Sequence, residues 1–258
     1  MAQIPSSVVP LRELPDKKYG WILCYPSPTK RSLEARIREL SRLSIVALDF
    51  TGPVELGSLH LLGKGTSSVV VIGITNSGKV ALKIRRVDSR RKDTRNEVRT
   101  LKLVNGLNLG PRILGSTRNV ISMELIGGKA IIEWVESVSG TGSIKRLKRM
   151  ILELLRQCQT LDEAGIDHGE LSNLRKHVII DGDLVTLIDF ESSSTSRRTS
   201  NVTSAVQYLF IGGPLAPRLR KVIRVRDVQE LLSALRKYKR QRKGTFAEIL
   251  IALNLTKK

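Results

Sequence analysis

Aromatic residues are scarce in this chain, at 4% of 258 residues, which leaves few platforms on which single-stranded bases could stack. Cysteine is nearly absent. Cys24 and Cys158 allow no disulfide framework and sit in no metal-ligand pair, so a reducing compartment fits best. No apolar run approaches the ~20 residues of a membrane span. The start, MAQIPSSVVPLRELPDKK, has no apolar core of signal-peptide type. These absences predict a cytoplasmic protein that makes no use of a membrane. Acids are the other shortage: 24 Asp+Glu stand against 44 Lys+Arg, a formal net charge of +20. That excess calls for an anionic partner, meaning nucleic acid, nucleotide phosphates or an acidic surface. What is present is a core. A 41% hydrophobic and 26% charged composition belongs to a folded chain, not a disordered one. The length leaves one large or two small domains open, against a prior of ~150 residues per domain.

Residues 1–19 carry three prolines and no periodicity, which predicts a loose arm. WILCYP (21–26) predicts a short strand. Ser27-Pro28 then opens a helix with Leu33, Ile37 and Leu40 at helical spacing and Leu43 near the same face, and a second strand runs over 45–50. The pattern is that of a βαβ-like extension domain over 1–56, small enough that it must lean on the neighbouring segment. Residues 57–126 predict a β-rich lobe. Strands at 68–74 and 79–86 flank Asn76-Ser77-Gly78, a charged helix spans 90–105, and short strands lie near Ile113 and over 120–125. Residues 127–258 predict a helical lobe. Its longest helix, 144–164, has an unbroken stripe of Leu147, Ile151, Leu154, Cys158 and Leu161 and stops at Gly165. A hairpin comes next (177–180 and 184–190, turning at Asp181-Gly182), then helices at 201–210, 226–242 and 245–255.

Five features fall in a fixed order. Gly63-Lys64-Gly65-Thr66-Ser67-Ser68 leads into a strand, and glycines let backbone N–H groups approach phosphates with no Cβ in the way. Lys83 stands in an otherwise apolar strand, with Val80, Leu82 and Ile84 on the other face. Glu97 is an acid on the apolar face of a basic helix. Each charge is costly on an apolar face unless paired, so a Lys83–Glu97 pair resolves both. Asp167-His168-Gly169-Glu170-Leu171-Ser172-Asn173 comes just after the long helix, and Leu187-Ile188-Asp189-Phe190-Glu191 ends the hairpin. Two acids at loop and strand ends, joined by a tight hairpin, can face one site, and Mg²⁺ prefers carboxylates together with phosphate oxygens and waters.

Taken in that order, these residues resemble the protein-kinase fold. With 67 residues after Glu191 and no Ala-Pro-Glu segment, the chain is similar to the small atypical kinases: the RIO group, the kinase subunit of the KEOPS complex, and above all an archaeal group of predicted serine/threonine protein kinases, to which HGELS and LIDFESSS look closest. The resemblance covers roughly residues 57–210. It implies an α+β, two-lobed kinase-like fold, with a β-rich N-lobe holding one helix and a reduced helical C-lobe, preceded by the small α/β extension. It implies ATP and Mg²⁺ as cofactors, and γ-phosphate transfer to a serine or threonine of a protein, the chain itself included, or ATP hydrolysis by the same site. Carried over, Gly63 and Gly65 would cover the phosphates, and Lys83 would contact the α- and β-phosphates, held by Glu97. Met123-Glu124-Leu125 would lie against adenine, and Asp189 would hold the metal.

The chain also departs from the family's pattern. Ser68 replaces the third glycine, and Glu170, one methylene longer, replaces the catalytic aspartate. Arg175 stands where a metal-binding asparagine is usual, which leaves His177 and Asn173 as the alternatives. For the acid that usually opens a later helix, Asn201 is the candidate.

The charge is concentrated. Residues 85–102 hold eight Lys/Arg against Asp88, Asp93 and Glu97, and residues 218–243 hold eleven against Asp227 and Glu230. Two such segments suit a phosphate backbone. The alternative reading is therefore a basic RNA- or ribosome-associated protein whose degenerate kinase core still binds nucleotide.

Overall fold

A computed structural model describes residues 7–16, 18–225 and 227–256. The first six residues of the expected arm lie outside the described residues, as do Lys17 and, within the second basic segment, Arg226. The chain divides into two compact units, one of residues up to Asn105 with Pro111–Leu125, the other of Gly106–Gly110 with Ile126 onward.

The first unit is built on one antiparallel sheet. Its elements are β1 (Val8–Pro10), α1 (Lys30–Arg42), β2 (Ala47–Asp49), β3 (Val54–Leu56), β4 (Leu59–Leu61), β5 (Gly63–Lys64), β6 (Ser68–Thr75), β7 (Gly78–Arg85), α2 (Arg95–Gly106), β8 (Ile113–Ser116) and β9 (Val120–Glu124). The strand order is β1-β2-β6-β7-β9-β8, with β5 also on β6 and β3–β4 a separate hairpin. The amino-terminal piece is part of this sheet, because β2 pairs antiparallel with β6 in the register Leu48↔Gly73. It is also part of the core, where Leu14, Ile22, Leu23, Leu40 and Leu48 pack in one cluster with Val69, Val71, Val80 and Leu82.

Two local expectations are corrected here. Part of the expected arm is ordered into β1 and a 3-10 turn at Leu11–Glu13. WILCYP is no strand, since Gly20–Cys24 forms a 3-10 helix. Asp16 starts it: its side chain accepts from Lys18 N (2.9 Å) and its carbonyl from Gly20 N (3.0 Å). An apolar run this short is compatible with either periodicity, and the turn-forming aspartate decides. The strands around α1 are therefore β1 and β2, paired antiparallel. That is not a βαβ unit.

Helix α1 begins with a capping box between Thr29 and Ser32. It carries two buried charges on its inner face. Arg36 Nη2 donates to Arg85 O at 2.9 Å, and burial pushes the guanidinium pKa down. Glu39 accepts from Asn119 N (2.9 Å), Asn119 Nδ2 (2.6 Å) and the Thr117 hydroxyl, tying α1 to the β8–β9 turn. Helix α2 starts at Arg95, five residues later than the charge pattern suggests, because the Asp93 carboxylate accepts from Arg95 N (3.0 Å) and fixes the start.

The second unit contains β10 (Lys129–Ala130), α3 (Ile131–Ser137), α4 (Ser143–Glu163), β11 (Val178–Asp181), β12 (Leu184–Leu187), α5 (Asn201–Gln207), α6 (Ala216–Ile223), α7 (Val228–Arg240) and α8 (Phe246–Ala252). Leu147, Ile151, Leu154, Cys158 and Leu161 of α4 are all buried, so the predicted stripe is the core face. Gly165 comes after the helix at φ +71°, where only glycine sits without strain. The hairpin turns one residue later than Asp181-Gly182. Asp181 pairs with Leu184, so Gly182 (φ +56°) and Asp183 are the turn residues. Helices α3 and α6 were not legible from spacing. Among the described residues no helix is long and apolar enough to cross a membrane.

Candidate functional site

Strand β7 lies inside its sheet, with Lys83 opposite Val70 of β6 and Ile121 of β9. Val80, Leu82 and Ile84 face the core cluster, which puts Lys83 on the other face. It is nevertheless only 5% exposed, because α2 covers that face and supplies Glu97. Lys83 Nζ and Glu97 Oε1 are 2.7 Å apart, with side chains 6% and 11% exposed. A desolvated pair at this distance is held by a charge-assisted hydrogen bond, and each member makes the other's burial tolerable.

The glycine-rich segment is a tight return between β5 and β6. Gly63 pairs with Val70, and Gly65 N donates to Ser68 O at 2.8 Å. Arg86 braces it from β7's end. Its backbone N donates to Ser67 O (2.8 Å) and its Nη1 to Gly65 O (2.9 Å). The same guanidinium grips Asp88 with two hydrogen bonds, 2.9 and 2.6 Å, and lies 4.8 Å from the Tyr25 ring centroid. Neither glycine has positive φ, and a Cβ at Gly65 would meet its nearest neighbour at 3.6 Å, ordinary contact. The hairpin's own packing therefore does not demand glycine there. Beyond it, Met123 and Glu124 close β9, and Glu124 N donates to Arg112 O at 2.8 Å, before Leu125.

In the second unit the chain leaves α4 and runs through Asp167-His168-Gly169-Glu170. His168 is fully buried, its Nε2 3.0 Å from Ile188 O and its ring 4.8 Å from that of Phe190. Burial, with His177 nearby, pushes its pKa down to about 4, so the ring is neutral at neutral pH and Nε2 donates its proton to the carbonyl. Gly169 has φ +90°, and a Cβ there would run into Arg197 Nη2 and Ser192 O. Arg197 needs that space: its Nε donates to Asp167 Oδ2 (2.6 Å) and its Nη2 to Ser192 O (2.9 Å).

Glu170, His177 and Asp189 converge, with ligand atoms within 4.8 Å of one another. His177 Nε2 lies 3.1 Å from Glu170 Oε2, the histidine buried and the glutamate side chain 40% exposed. Ser192 Oγ donates to Glu170 Oε1 at 2.8 Å. Asp189 is held at φ +66°, a left-handed conformation unusual outside glycine, at the start of the turn Phe190–Ser192. Asn173 sits exposed on a kinked 3-10 turn. His177 lies with Glu170 and Asp189 in this cluster. Two carboxylates and one imidazole nitrogen are a donor set that fits a divalent cation, the carboxylates suiting Mg²⁺ and the nitrogen favouring Mn²⁺.

One supporting residue escapes sequence reading. Asp162 on α4 is 1% exposed and its carboxylate accepts four hydrogen bonds. They come from Asn201 N (3.0 Å), Asn201 Nδ2 (2.9 Å), Val202 N (3.1 Å) and the Tyr238 hydroxyl (3.1 Å). Asn201 in turn donates to Ile166 O (2.7 Å) and accepts from His168 N (2.8 Å). Burial and this carboxylate push the Tyr238 hydroxyl pKa well up. The signal available was an acid next to Leu161 on an apolar stripe, the same signal that singles out Glu97.

No protein-family model matches the chain, and no curated protein matches it. Among solved structures, the crystal structure of the PF14_0431 kinase domain is similar to it at 16% identity, with a TM-score of 0.44. The similarity covers 53% of this chain and 50% of that one, so the chain spans about half the length of the kinase domain it matches.

Proposed function

We propose that this chain is an ATP- and divalent-metal-dependent phosphotransferase of the atypical protein-kinase type, acting on a serine or threonine hydroxyl of a protein. The observation that carries the reading is the convergence of Glu170, His177 and Asp189, with a serine hydroxyl already donating to Glu170. A carboxylate that accepts a hydroxyl proton next to metal-ligating groups is the arrangement that phosphoryl transfer needs. The buried Lys83–Glu97 pair supports it, since a lysine fixed in place by a carboxylate offers phosphates a cation that needs no reordering. In this reading Asp189 and His177 would hold the metal, which would neutralise charge on the phosphate oxygens. As the resemblance implies, Lys83 would meet the α- and β-phosphates, the backbone of Gly63 and Gly65 would cover them, and backbone groups of Met123-Glu124-Leu125 would meet adenine. Incubation with γ-labelled ATP and Mg²⁺ or Mn²⁺ tests this directly. Asp189→Asn is expected to cut metal-dependent transfer severely, because it removes the charge of a proposed metal ligand; undiminished transfer in that variant refutes the assignment.

A second reading, RNA association, rests on where the cations lie. Arg85, Arg86, Arg220 and Arg242 are internal braces bonded to backbone carbonyls, and Lys237 pairs with Glu248. Arg236, Lys239, Arg240 and Lys243 are exposed at and beyond the end of α7. Reversing these four to Glu is expected to flatten the dependence of RNA affinity on salt, by a log–log slope of ~0.7 for each single-strand phosphate no longer neutralised. An unchanged slope, or no RNA retention by the parent chain at low salt, assigns these cations to a solvated face.

A further inference from the structure

The geometry points to Ser192 as the first phosphate acceptor of this chain, modified within the same molecule. The inference rests on the phosphotransferase reading and names its acceptor. Ser192 Oγ donates to Glu170 Oε1 at 2.8 Å, which is the contact an acceptor hydroxyl must make with a general base.

The neighbouring hydroxyls are occupied differently. Ser193 Oγ donates to His168 O (3.2 Å), and Ser194 Oγ meets Ser196 Oγ (3.1 Å) while accepting from the backbone N of Ser196 and Arg197. Ser200 Oγ reaches a carboxylate only at 3.4 Å, and that carboxylate, Asp167, is already engaged by Arg197.

Ser192 is also fixed in place rather than carried on a loose loop. It ends the turn that begins at Asp189, and Phe190 anchors that turn, 2% exposed against the His168 ring. Its carbonyl is held by Arg197 Nη2 (2.9 Å), in the space left by the missing side chain of Gly169. A nucleophile held next to its base on such a frame gains the large effective concentration of an intramolecular reaction. Glu170 remains 40% exposed on its side chain, so the base is open to an incoming phosphoryl group.

In the transfer, Ser192 Oγ attacks the γ-phosphorus of ATP. The Oγ–P bond forms as the bond from that phosphorus to the β,γ-bridging oxygen breaks. The hydroxyl proton passes to Glu170 Oε1, and ADP leaves with the bridging oxygen and its electron pair.

The test uses the full chain, first stripped by a phosphatase, then incubated with γ-labelled ATP and Mg²⁺ or Mn²⁺ and mapped by peptide mass spectrometry. Phosphate on Ser192, appearing with a first-order rate constant that does not change over a tenfold range of chain concentration, is the expected result. Ser192→Ala should lose that label, Ser192→Thr should restore it on the new hydroxyl, and Glu170→Gln should slow it ~10²-fold or more. Transfer that labels another residue or an added protein but leaves Ser192 bare overturns this inference and spares the phosphotransferase reading. A rate constant that rises with chain concentration overturns transfer within one molecule. No release or transfer of the γ-phosphate under any condition overturns both.

Discussion

Lys83→Met is expected to eliminate measurable ATP turnover and to lower the stability of the chain. The two effects have separate causes, so they can be separated. Lys83 and Glu97 are 2.7 Å apart with side chains 6% and 11% exposed. Removing one member of a buried pair costs ~3–5 kcal/mol, because the remaining charge is deprived of the partner that made its burial tolerable. For a chain of this size, each kcal/mol is worth ~2–4 °C of midpoint, so thermal denaturation should show a drop of roughly 10 °C. The double variant Lys83→Met, Glu97→Leu replaces the pair by apolar groups of similar volume. It should recover most of that stability, since such replacements are often neutral or stabilising. ATP turnover should not recover, because the cation offered to the phosphates is still gone. Turnover in the double variant comparable to the parent would show that the pair is structural only, and would remove Lys83 from the proposed site.

The same physics explains which parts were legible in the sequence. Charges on apolar faces stand out because their burial must be compensated, and Lys83 and Glu97 are found paired where two separate patterns require it. Long periodic segments are equally plain: the α4 stripe is buried residue for residue. Local features that depend on one or two residues are harder. The apolar run 21–26 has no period long enough to choose between strand and helix, and the Asp16 turn settles it as a 3-10 helix. The turn of the β11–β12 hairpin lies one residue later than its Asp-Gly signal: the Asp-Gly turn needs positive φ at both residues, whereas here Gly182 alone takes it and Asp183 follows. The candidate site was legible as residue types, and its geometry was not. Nothing in the spacing of Glu170 and Ser192 shows that their side chains meet, because that depends on the left-handed turn at Asp189 and on the Arg197 brace.

The largest stability effect is expected at Asp162, a residue outside the proposed site. Its carboxylate is 1% exposed and gathers the backbone N–H groups of Asn201 and Val202 at the start of α5, the Asn201 amide and the Tyr238 hydroxyl. Asp162→Ala leaves these donors buried without their acceptor, at ~1–3 kcal/mol for each group left unsatisfied. The sum is a destabilisation of about 4 kcal/mol or more, read as a lower urea midpoint. Tyr238→Phe removes a single donor and should cost only ~1 kcal/mol.

The more telling comparison exchanges the charge. Asn201 Nδ2 faces Asp162 Oδ1 at 2.9 Å, while Asn201 Oδ1 accepts from His168 N at 2.8 Å, so this asparagine passes the hold of Asp162 on to the His168–Glu170 loop. Asn201→Asp alone sets two carboxylates against each other in a buried site and should destabilise strongly, since both cannot ionise there. Adding Asp162→Asn removes that like-charge repulsion and leaves position 201 able to accept from His168 N, but the bond from Asn201 Nδ2 to Ile166 O is still lost. The double variant should be more stable than the sum of the two single losses predicts, the non-additivity expected of side chains in contact. If the two substitutions simply add, the Asp162–Asn201 contact is not what holds the loop, and the support assigned to it for the Glu170 loop must come from Arg197 and Asp167 instead.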